Sequence, residues 1–538
     1  MNLSNVKISI PKRLLKSLVE HLLKYHLIYI FIITAAISVQ AFVFYLQNGL
    51  GLAYNDARSH LDIGRRVVEG LKPGLAQLGS VWLPLTHLLM VPTIWSDFMW
   101  HTGLSGALQS MISFVATVFL IYFFLKHLKV NLFGRIMGII IFVTNINILY
   151  LQSTAMTELL LICTMTAGTY YLLLWFEKES IIDLIIASFA IMLSTLIRYD
   201  GWFLLFLSSL LATLFVYFKY GYKRAEGTFL LFCTLGGLGI MLWILWNFLI
   251  FGDPFFFAFG PYSAHAQQDQ LASAGVLPTK GNWFLSTKIY LYAMIFNSNM
   301  YITILGIIGA MVMYFDKNIS YRLKIASLTL FAPIIFNILA LYLGHSVLYI
   351  QGISGNTWFN VRYGVMLIPS FAIFIGYLLG NAGKLKFPIL ISLVFVMYFA
   401  FNSYDAVTID DGRVGSSQKN VKEVSSWLKK NTQDKEGFIL ISAASHDAII
   451  FSSGLPMKKF IHEGTGKYWD SATTSPDRWA RWIIMRTNDV NDMTFKLVKD
   501  TPGFKYYKKV DSYPFADIYE LDPKYLDQLN TKTVFIQK

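Results

Sequence analysis

A succession of long apolar stretches occupies the first 402 residues and limits the folds open to this chain. A helix that crosses a membrane needs roughly 20 apolar residues, with about 17 to 25 tolerated. The chain is 55% hydrophobic and only 14% charged, which is too apolar for an ordinary soluble protein. We therefore predict a polytopic α-helical membrane protein with about eleven spans, near residues 26–48, 104–125, 136–151, 158–176, 181–197, 202–218, 228–250, 290–314, 324–343, 363–380 and 387–402.

The long loop at residues 49–103 contains the only extended polar segment before residue 250. An apolar part of it, 81–95, is interrupted by two prolines and a histidine, so it favours a re-entrant or interfacial piece over a span. We predict that this loop forms helices at the membrane surface. Its remaining basic residues are expected to contact lipid headgroups: Arg65, Arg66 and Lys72.

The net charge of +13 falls largely in short loops between apolar stretches. Lys and Arg in short loops mark the cytoplasmic side of a membrane protein, so this charge predicts orientation rather than a nucleic-acid partner. We expect a multi-pass protein of the plasma membrane with a cytoplasmic N-terminus and an extracytoplasmic C-terminal part. The five predicted inner loops carry Lys126, Lys129 and Arg135; Lys178; Lys219, Lys223 and Arg224; Lys317, Arg322 and Lys324; and Lys384 and Lys386.

The composition changes after the last apolar stretch. Residues 405–538 contain 38 charged residues among 134, against 39 among the 404 residues before them. We therefore predict a transmembrane domain over 1–404 and a soluble extracytoplasmic α/β domain over 405–538. Within the second domain a helical stretch at 421–430 alternates with segments such as the apolar run 438–442 and RWIIMR at 481–486, and two strand-like segments follow at 504–510 and 515–521.

Ionisable residues recur at the outer ends of the predicted spans. Charges at membrane depth are costly and tend to be kept for a task. The alternative is that each one only caps a helix at the headgroup level. Acids and arginines at successive outer ends can nevertheless meet when the helices pack. The candidate residues are Asp56, His60, Glu158, Arg198, Asp200, His265, His345, Arg362 and Tyr363.

Three of these candidates have informative surroundings. Glu158 follows almost no loop, so it sits in a tight turn or slightly inside the membrane, and either position favours a facing cavity. Asp200 could form only a local ion pair with Arg198 two residues earlier. The guanidinium of Arg362 could fork two phosphate oxygens of a substrate, or it could snorkel to the phosphates of ordinary lipids.

A divalent metal ion is a possible cofactor. Outer-side histidines such as His60, His265 and His345 could bind one together with Asp56 or Glu158. No close-spaced ligand motif such as HExxH occurs in the sequence. No cofactor is therefore assigned with certainty.

The chain resembles GT-C fold glycosyltransferases, within the branch of protein O-mannosyltransferases and the lipid A aminoarabinose transferase. The resemblance covers about 1–402. It rests on Asp56 after the first span, SxxMTE ending at Glu158, RYDGW at 198–202 and Arg362-Tyr363 before a late span. A soluble outer domain after the last span also fits. That branch commonly has Asp-Glu in the first loop, whereas here the acid is followed by Ala57, so Glu158 could supply the second carboxylate.

The resemblance implies a polyprenyl-phosphate-linked sugar as donor, used on the outer face of the membrane. It implies that Asp56 is the catalytic base and Glu158 its catalytic partner, with the other candidates binding the donor phosphate or the substrate. The acceptor hydroxyl would belong to a glycan, a lipid or a protein of the cell envelope, although the C-terminal region does not resemble the sugar-binding module of eukaryotic protein mannosyltransferases. A single displacement predicts inversion of the anomeric centre.

Two other functions share part of the pattern. A transporter or lipid flippase predicts ionisable residues in the middle of helices and a repeat of the spans, and the sequence has neither. A lipid-linked glycan polymerase or ligase would share the outer active site. An inverting hexosyltransferase remains the main expectation, with these as alternatives.

Overall fold

The computed structural model describes residues 12–260, 263–273, 275–403, 406–414, 418–489 and 492–531. The cytoplasmic N-terminus predicted for residues 1–11 and the ends of the predicted soluble domain, 405 and 532–538, lie outside this part. Up to residue 403 the described helices are α1 (Lys12–Gln47), α2 (Asn55–Val68), α3 (Leu85–Met90), α4 (Asp97–His101), α5 (Leu104–His127), α6 (Leu132–Val143), α7 (Ile146–Leu151), α8 (Glu158–Lys178), α9 (Ile181–Thr195), α10 (Tyr199–Tyr220), α11 (Tyr222–Phe251), α12 (Phe256–Phe259), α13 (Ala264–Ser273), α14 (Trp283–Ser298), α15 (Met300–Phe315), α16 (Tyr321–Ser327), α17 (Ala332–Leu343), α18 (Ile368–Asn381) and α19 (Lys386–Ser403).

Short 3-10 helices complete this region, at Leu75–Leu78, Leu328–Phe331, Val361–Leu367 and Gly383–Leu385. Eight helical segments among the described residues are long and apolar enough to cross a membrane, and a ninth is a bent pair of helices. The eight are Leu23–Gln47, Leu104–His127, Glu158–Lys178, Tyr199–Tyr220, Tyr222–Phe251, Tyr321–Leu343, Val361–Asn381 and Gly383–Val414. With the shorter apolar helices Leu132–Val143 and Ile181–Thr195, they account for the eleven predicted stretches and confirm the polytopic helical class.

Two of the predicted stretches are not single straight helices. The stretch 290–314 is broken at Asn299, where α14 and α15 meet at 106°. Asn299 has a positive φ of 80°, a conformation that asparagine tolerates better than most residues. Its side chain then caps α15 by accepting from the amide of Tyr301 at 2.9 Å. The stretch 136–151 likewise divides, because Asn145 caps the separate helix α7.

The predicted inner loops meet one another. Glu179, at the end of α8, accepts hydrogen bonds from Lys219 and from Arg322, the latter at 2.8 Å. These residues come from three loops that the charge pattern assigned to the same side. Four charged residues of the predicted outer loops, Asp56, Arg198, Asp200 and Arg362, gather around Glu158 instead. Loops that the charge pattern assigned to the same side of the membrane are therefore in contact in the structure.

The loop between the first two spans folds into helices α2, α3 and α4, as expected for residues 49–103. The expectation that Arg65 contacts lipid headgroups is wrong, because this side chain is buried. It donates to the carbonyls of Ile94 and Trp95 and to Asp97, and it lies over the ring of Trp100. Arg65 thus links α2 to the segment 94–97 of the same loop.

The C-terminal region contains a five-stranded sheet beside helices, as predicted for an α/β unit. The strand order is β2-β1-β3-β5-β4, parallel among β1, β2 and β3 and antiparallel beyond β3. The strands are β1 (Phe438–Leu440), β2 (Phe460–Ile461), β3 (Ala480–Met485), β4 (Tyr507–Ser512) and β5 (Asp517–Leu521). The helices are α20 (Val407–Val414), α21 (Gln418–Thr432), α22 (Ala443–Ser453), α23 (Lys467–Thr474), α24 (Pro476–Trp479) and α25 (Met493–Val498), with 3-10 helices Met457–Lys459, Glu463–Thr465, Pro502–Tyr506 and Pro523–Gln528.

Helix α20 belongs to the predicted soluble domain by sequence, yet it packs on the membrane region. The amide and hydroxyl of Thr408 donate to the side-chain oxygen of Asn147, at 3.1 and 2.8 Å. Helix α22 contacts α2 in the first outer loop. The C-terminal region therefore packs against the predicted outer ends of the spans.

Candidate active site

Glu158 is the centre of a cluster of charged side chains at the outer helix ends. It begins α8 directly after a buried turn at 152–157, and its side chain has no exposed surface. The turn can pack this closely because Gly106 of α5 lacks a side chain. A Cβ at that position would lie 2.3 Å from the Cβ of Ala155. The tight turn expected from the sequence is thus built against a glycine.

Arg198 and Asp200 come from the short turn between α9 and α10. Gly201 allows this turn, because a Cβ there would lie 2.4 Å from the backbone of Ser194. Arg198 Nε donates to Asp200 at 3.2 Å, which is the local ion pair considered from the sequence. Arg198 Nη1 also donates to Glu158 Oε1 at 3.1 Å. The arginine therefore joins the local pair to the cluster.

Arg362 lies in the 3-10 helix Val361–Leu367, which packs closely on α14. Asn297 donates to the carbonyl of Val361 at 2.7 Å, and a Cβ on Gly364 would lie 2.3 Å from the carbonyl oxygen of Ala293. This packing fixes the backbone that carries the guanidinium. Nε of Arg362 donates to Glu158 at 3.0 Å and Nη2 donates to Asp56 at 2.6 Å.

The ion pairs form a continuous chain from Asp56 through Arg362, Glu158 and Arg198 to Asp200. The two candidate catalytic carboxylates differ in access, since the side chain of Asp56 is 38% exposed and that of Glu158 is fully buried. A proton acceptor has to be reached by its substrate, so Asp56 is the more accessible of the two candidate bases. Buried Glu158 instead holds the two arginines together.

Aromatic rings line the two guanidinium groups. The Cζ of Arg198 lies 4.4 Å from the centre of the Tyr363 ring, and that of Arg362 lies 5.3 Å from it. The ring of Tyr54 lies 5.0 Å from Arg362 on another side. Such contacts favour the cation electrostatically and exclude water from it.

Two residues of the cluster were missed by the sequence analysis. Asp411 of α20 lies 3.9 Å from Arg362 Nη1, too far for a hydrogen bond, and it accepts one from Tyr54 at 3.1 Å. Tyr54 directly precedes α2 and was visible only as an apolar residue beside Asp56. Asp411 lies in the region predicted to be a separate soluble domain, so nothing in the sequence associated it with the membrane.

His60 lies one helical turn after Asp56, in a buried pair with His87. The Nδ1 atom of His60 and Nε2 of His87 are 2.8 Å apart, and Trp82 packs on His60. Burial, together with the positive charges of Arg362 and Arg198, lowers the pKa of His60 from 6.5 to about 3. Burial also lowers the pKa of His87. Both imidazoles are therefore neutral near pH 7.

The two remaining histidine candidates lie on other predicted outer loops, outside the ion-pair cluster. His265 on α13 pairs with Asp269 of the same helix, with Nδ1 and Oδ2 3.1 Å apart and both side chains about half exposed. His345 is exposed, and its carbonyl accepts a hydrogen bond from Gln268. This hydrogen bond joins α13 to the loop of His345, and the part of both histidines in substrate binding stays a prediction.

The described residues do not form a ready metal centre. No group of three or more His, Cys, Asp or Glu side chains among them is placed to hold an ion. Between Asp56 and Glu158 the position is taken by the guanidinium of Arg362, which a cation would have to displace. Metal dependence stays a prediction, and no step below uses a metal.

Comparison with known proteins gives matches at the level of structure. No protein-family model and no curated protein matches the chain. The crystal structure of ArnT from Cupriavidus metallidurans bound to undecaprenyl phosphate has a TM-score of 0.55 at 11% identity, over 93% of this chain and 99% of that chain. ArnT in the apo state gives 0.54 at 10% identity, over 92% and 98%.

The oligosaccharyltransferase AglB from Archaeoglobus fulgidus, in complex with an inhibitory peptide and a dolichol-phosphate, gives a TM-score of 0.46 at 11% identity. That alignment covers 91% of this chain and 73% of AglB. The likeness to ArnT, by contrast, extends over nearly the whole of both chains, the C-terminal region included. The chain therefore has the GT-C fold of the aminoarabinose transferase ArnT.

Proposed function

We propose that this protein is an integral membrane glycosyltransferase that moves a sugar from a polyprenyl-phosphate-linked donor to an acceptor hydroxyl on the outer face. The observation that carries the proposal is the chain of ion pairs from Asp56 to Asp200, built from the outer ends of separate helices. The GT-C fold supports it, and ArnT has been crystallised with undecaprenyl phosphate.

In the proposed reaction Asp56 is the general base. It takes the proton of the acceptor hydroxyl while that oxygen forms a bond to the anomeric carbon of the sugar. The bond from that carbon to the phosphate oxygen breaks, and polyprenyl phosphate leaves with the electron pair. One displacement of this kind inverts the anomeric centre. Arg362 contacts Oδ2 of Asp56, and Oδ1 is then the oxygen that receives the proton.

The leaving phosphate needs positive charge close by. Arg362 Nη1 is the guanidinium nitrogen that faces a carboxylate, Asp411, only at 3.9 Å, so it can turn to a phosphate oxygen without loss of a hydrogen bond. Arg198 is the second cation of the cluster. In a site that excludes water, such fixed charges stabilise a developing anion strongly. Tyr363, beneath both arginines, keeps water from them.

The sugar would be held by polar atoms that the protein leaves unpaired. Glu158 Oε2 and Asp200 Oδ1 are buried and have no hydrogen-bond partner among the described residues. Buried acceptors without a donor are costly, so they favour a ligand that supplies hydroxyl groups. Neutral His60, one turn from Asp56, can exchange hydrogen bonds with the same substrate without adding charge.

The segment after α11 is a candidate wall for the lipid carrier. Phe257 of α12 packs against Tyr199 and Trp202, next to Arg198, with ring centres 6.3 and 5.9 Å apart. Phe255 and Phe259 on the same short segment are exposed and apolar. A polyprenyl chain lying on these rings would place its phosphate end near the arginines.

The direct test is transfer of radiolabelled sugar from polyprenyl-phosphate donors by the purified protein in liposomes, with glycan and lipid acceptors offered in turn. We expect labelled product with wild type and none with Asp56→Asn. Movement of intact donor across the bilayer without product would instead identify a flippase. Growth of a lipid-linked glycan by whole oligosaccharide units would identify a polymerase or ligase, and either result contradicts the proposal.

A further inference from the structure

A cleft of about 810 Å³ separates the first outer loop from the C-terminal region. The backbone after the first span and Arg58 of α2 form one wall, while α21 and α22 form the other. Sites for small ligands commonly have volumes of about 300 to 1,000 Å³. The cleft is therefore large enough for a charged headgroup, and it is separate from the cluster around Glu158.

The described residues that line this cleft include four cations and no carboxylate: Arg58, Arg413, Lys422 and Lys429 supply the charge. Like charges around one space repel each other. An anion in the cleft would remove that repulsion. The lining thus selects for negative charge.

The α21 wall presents these groups in an ordered way. Lys422, Ser425, Ser426 and Lys429 are spaced three, four and seven residues apart, so they share one face of the helix. Two hydroxyls therefore lie between two ammonium groups. Opposite them, Arg58 is 1% exposed and is oriented by a hydrogen bond from its Nη2 to Asn55. Its guanidinium adds positive charge to this wall of the cleft.

The cleft and the ion-pair cluster occupy different sides of the same helix. Asp56 and Arg58 are two residues apart, which separates their side chains by about 200° around α2. On the Asp56 side, four carboxylates surround two arginines. A phosphate of high negative charge meets less repulsion on the Arg58 side, a short distance from the proposed base.

We propose that this basic cleft binds a substrate phosphate. The phosphate belongs to the acceptor, because the proposed reaction already places the departing phosphate of the lipid carrier at Arg362 and Arg198. The identity of the ligand as a substrate rests on the proposed glycosyl transfer. The presence of an anion site does not, because it follows from the lining alone.

Binding is measured on the full chain in nanodiscs of zwitterionic lipid, which add no anionic headgroups. The probes are farnesyl phosphate, for a lipid carrier, and inorganic pyrophosphate, for a phosphate outside the membrane, with farnesol as the uncharged control. The test variant is Lys422→Glu with Lys429→Glu. The matched control is Lys430→Glu with Lys435→Glu, which makes the same charge change at exposed positions outside the cleft.

We expect the test variant to weaken binding of pyrophosphate about tenfold or more, with farnesol binding and the control variant unchanged. Loss for pyrophosphate, with or without loss for farnesyl phosphate, supports an acceptor phosphate in the cleft. If pyrophosphate binds the test variant as tightly as wild type, or the control loses as much, or only farnesyl phosphate binding is lost, the inference is overturned.

Two further measurements keep the test decisive. If the charge reversals unfold the protein, the variant Lys422→Gln with Lys429→Gln is used instead, because it neutralises the two positive charges without reversing them. Its probe binding is compared with wild type in the same way. Asp56→Asn is expected to lose transfer and retain phosphate binding. Binding without transfer in wild type would reject the proposed function alone, whereas transfer that is indifferent to the cleft variants, with unchanged binding, would reject the cleft alone.

Discussion

Asp56 and Arg362 lie 306 positions apart in the sequence, and their side chains meet in an ion pair of 2.6 Å. One follows the first span and the other opens a late one. The contact therefore forms only when the outer ends of the bundle assemble. It places the most accessible carboxylate of the cluster beside a guanidinium that Glu158 also holds in position.

Replacement of that carboxylate tests its role as base. Asp56→Asn keeps the size of the side chain and a partner for Arg362, so we expect the fold to survive. The rate of sugar transfer should fall by about 10²-fold to 10⁴-fold or more, because the amide cannot accept the proton. The measurement is single-turnover transfer in liposomes. Asp269→Asn makes the same change at a half-exposed position and serves as the control. Near wild-type turnover in Asp56→Asn would refute the assignment of Asp56 as base.

The fork of Arg362 is expected to matter beyond its charge. Arg362→Lys retains the cation but cannot face Asp56, Glu158 and a phosphate together. We expect a weaker apparent affinity for the donor, by about 1–3 kcal/mol, read from the donor dependence of initial rates. Arg322→Lys at the inner end makes the same exchange away from the site. Equal donor affinity in wild type and Arg362→Lys would argue against contact with phosphate.

Glu158 should be needed for stability as well as activity. Its removal leaves two buried guanidinium groups without their shared partner, a loss that commonly costs about 3–5 kcal/mol. We expect Glu158→Gln to lower the thermal unfolding temperature clearly. Glu179→Gln at the inner end breaks partly exposed ion pairs and should cost about 1 kcal/mol or less. A Glu158→Gln protein as stable as wild type would show that the buried charge is dispensable.

The glycine beneath the 152–157 turn gives a prediction about position. A methyl group at Gly106 would collide with Ala155, so Gly106→Ala should displace the turn and Glu158 with it. We expect lower transfer activity together with lower stability. Gly237→Ala also adds a methyl group within a helix, but there no atom lies within 4 Å of the new Cβ. Parallel assays of the two variants distinguish steric displacement from a general effect of losing glycine.

The buried histidine pair predicts sensitivity to acid. His60 has a pKa of about 3 in the folded protein and near 6.5 when unfolded. Below about pH 6.5 the unfolded chain therefore binds a proton that the folded chain refuses, and the free energy of unfolding falls as pH drops toward about 3. His60→Gln should reduce this slope in melting curves between about pH 7 and pH 4. An unchanged slope in His60→Gln would contradict a neutral buried imidazole.

Much of the cluster was within reach of the sequence because membrane physics restricts where charges sit. Asp56, Glu158, Arg198 and Arg362 all stood at predicted outer ends, and the alternation of basic loops put those ends on one side. The structure brings the four together. The spans followed from apolar length in the same way.

What the sequence did not provide depends on packing between distant segments. The break at Asn299 is a local conformation inside an unbroken apolar stretch. His87 stood out only as an interruption in 81–95, and its contact with His60 depends on how α3 folds back on α2. The burial of Arg65 likewise arises from carbonyls thirty residues away. Contacts of this kind cannot be predicted from the composition of the sequence.

The hydrogen bond from Tyr54 to Asp411 has a consequence for engineering the protein. A cut after the last span, at residue 404, would look natural from composition but would remove an acid from beside Arg362. Chimaeras that exchange the C-terminal region should therefore be joined beyond Val414, with α20 retained alongside the spans. The part of the chain that carries the candidate site, as a transplantable unit, is longer than the membrane-embedded part.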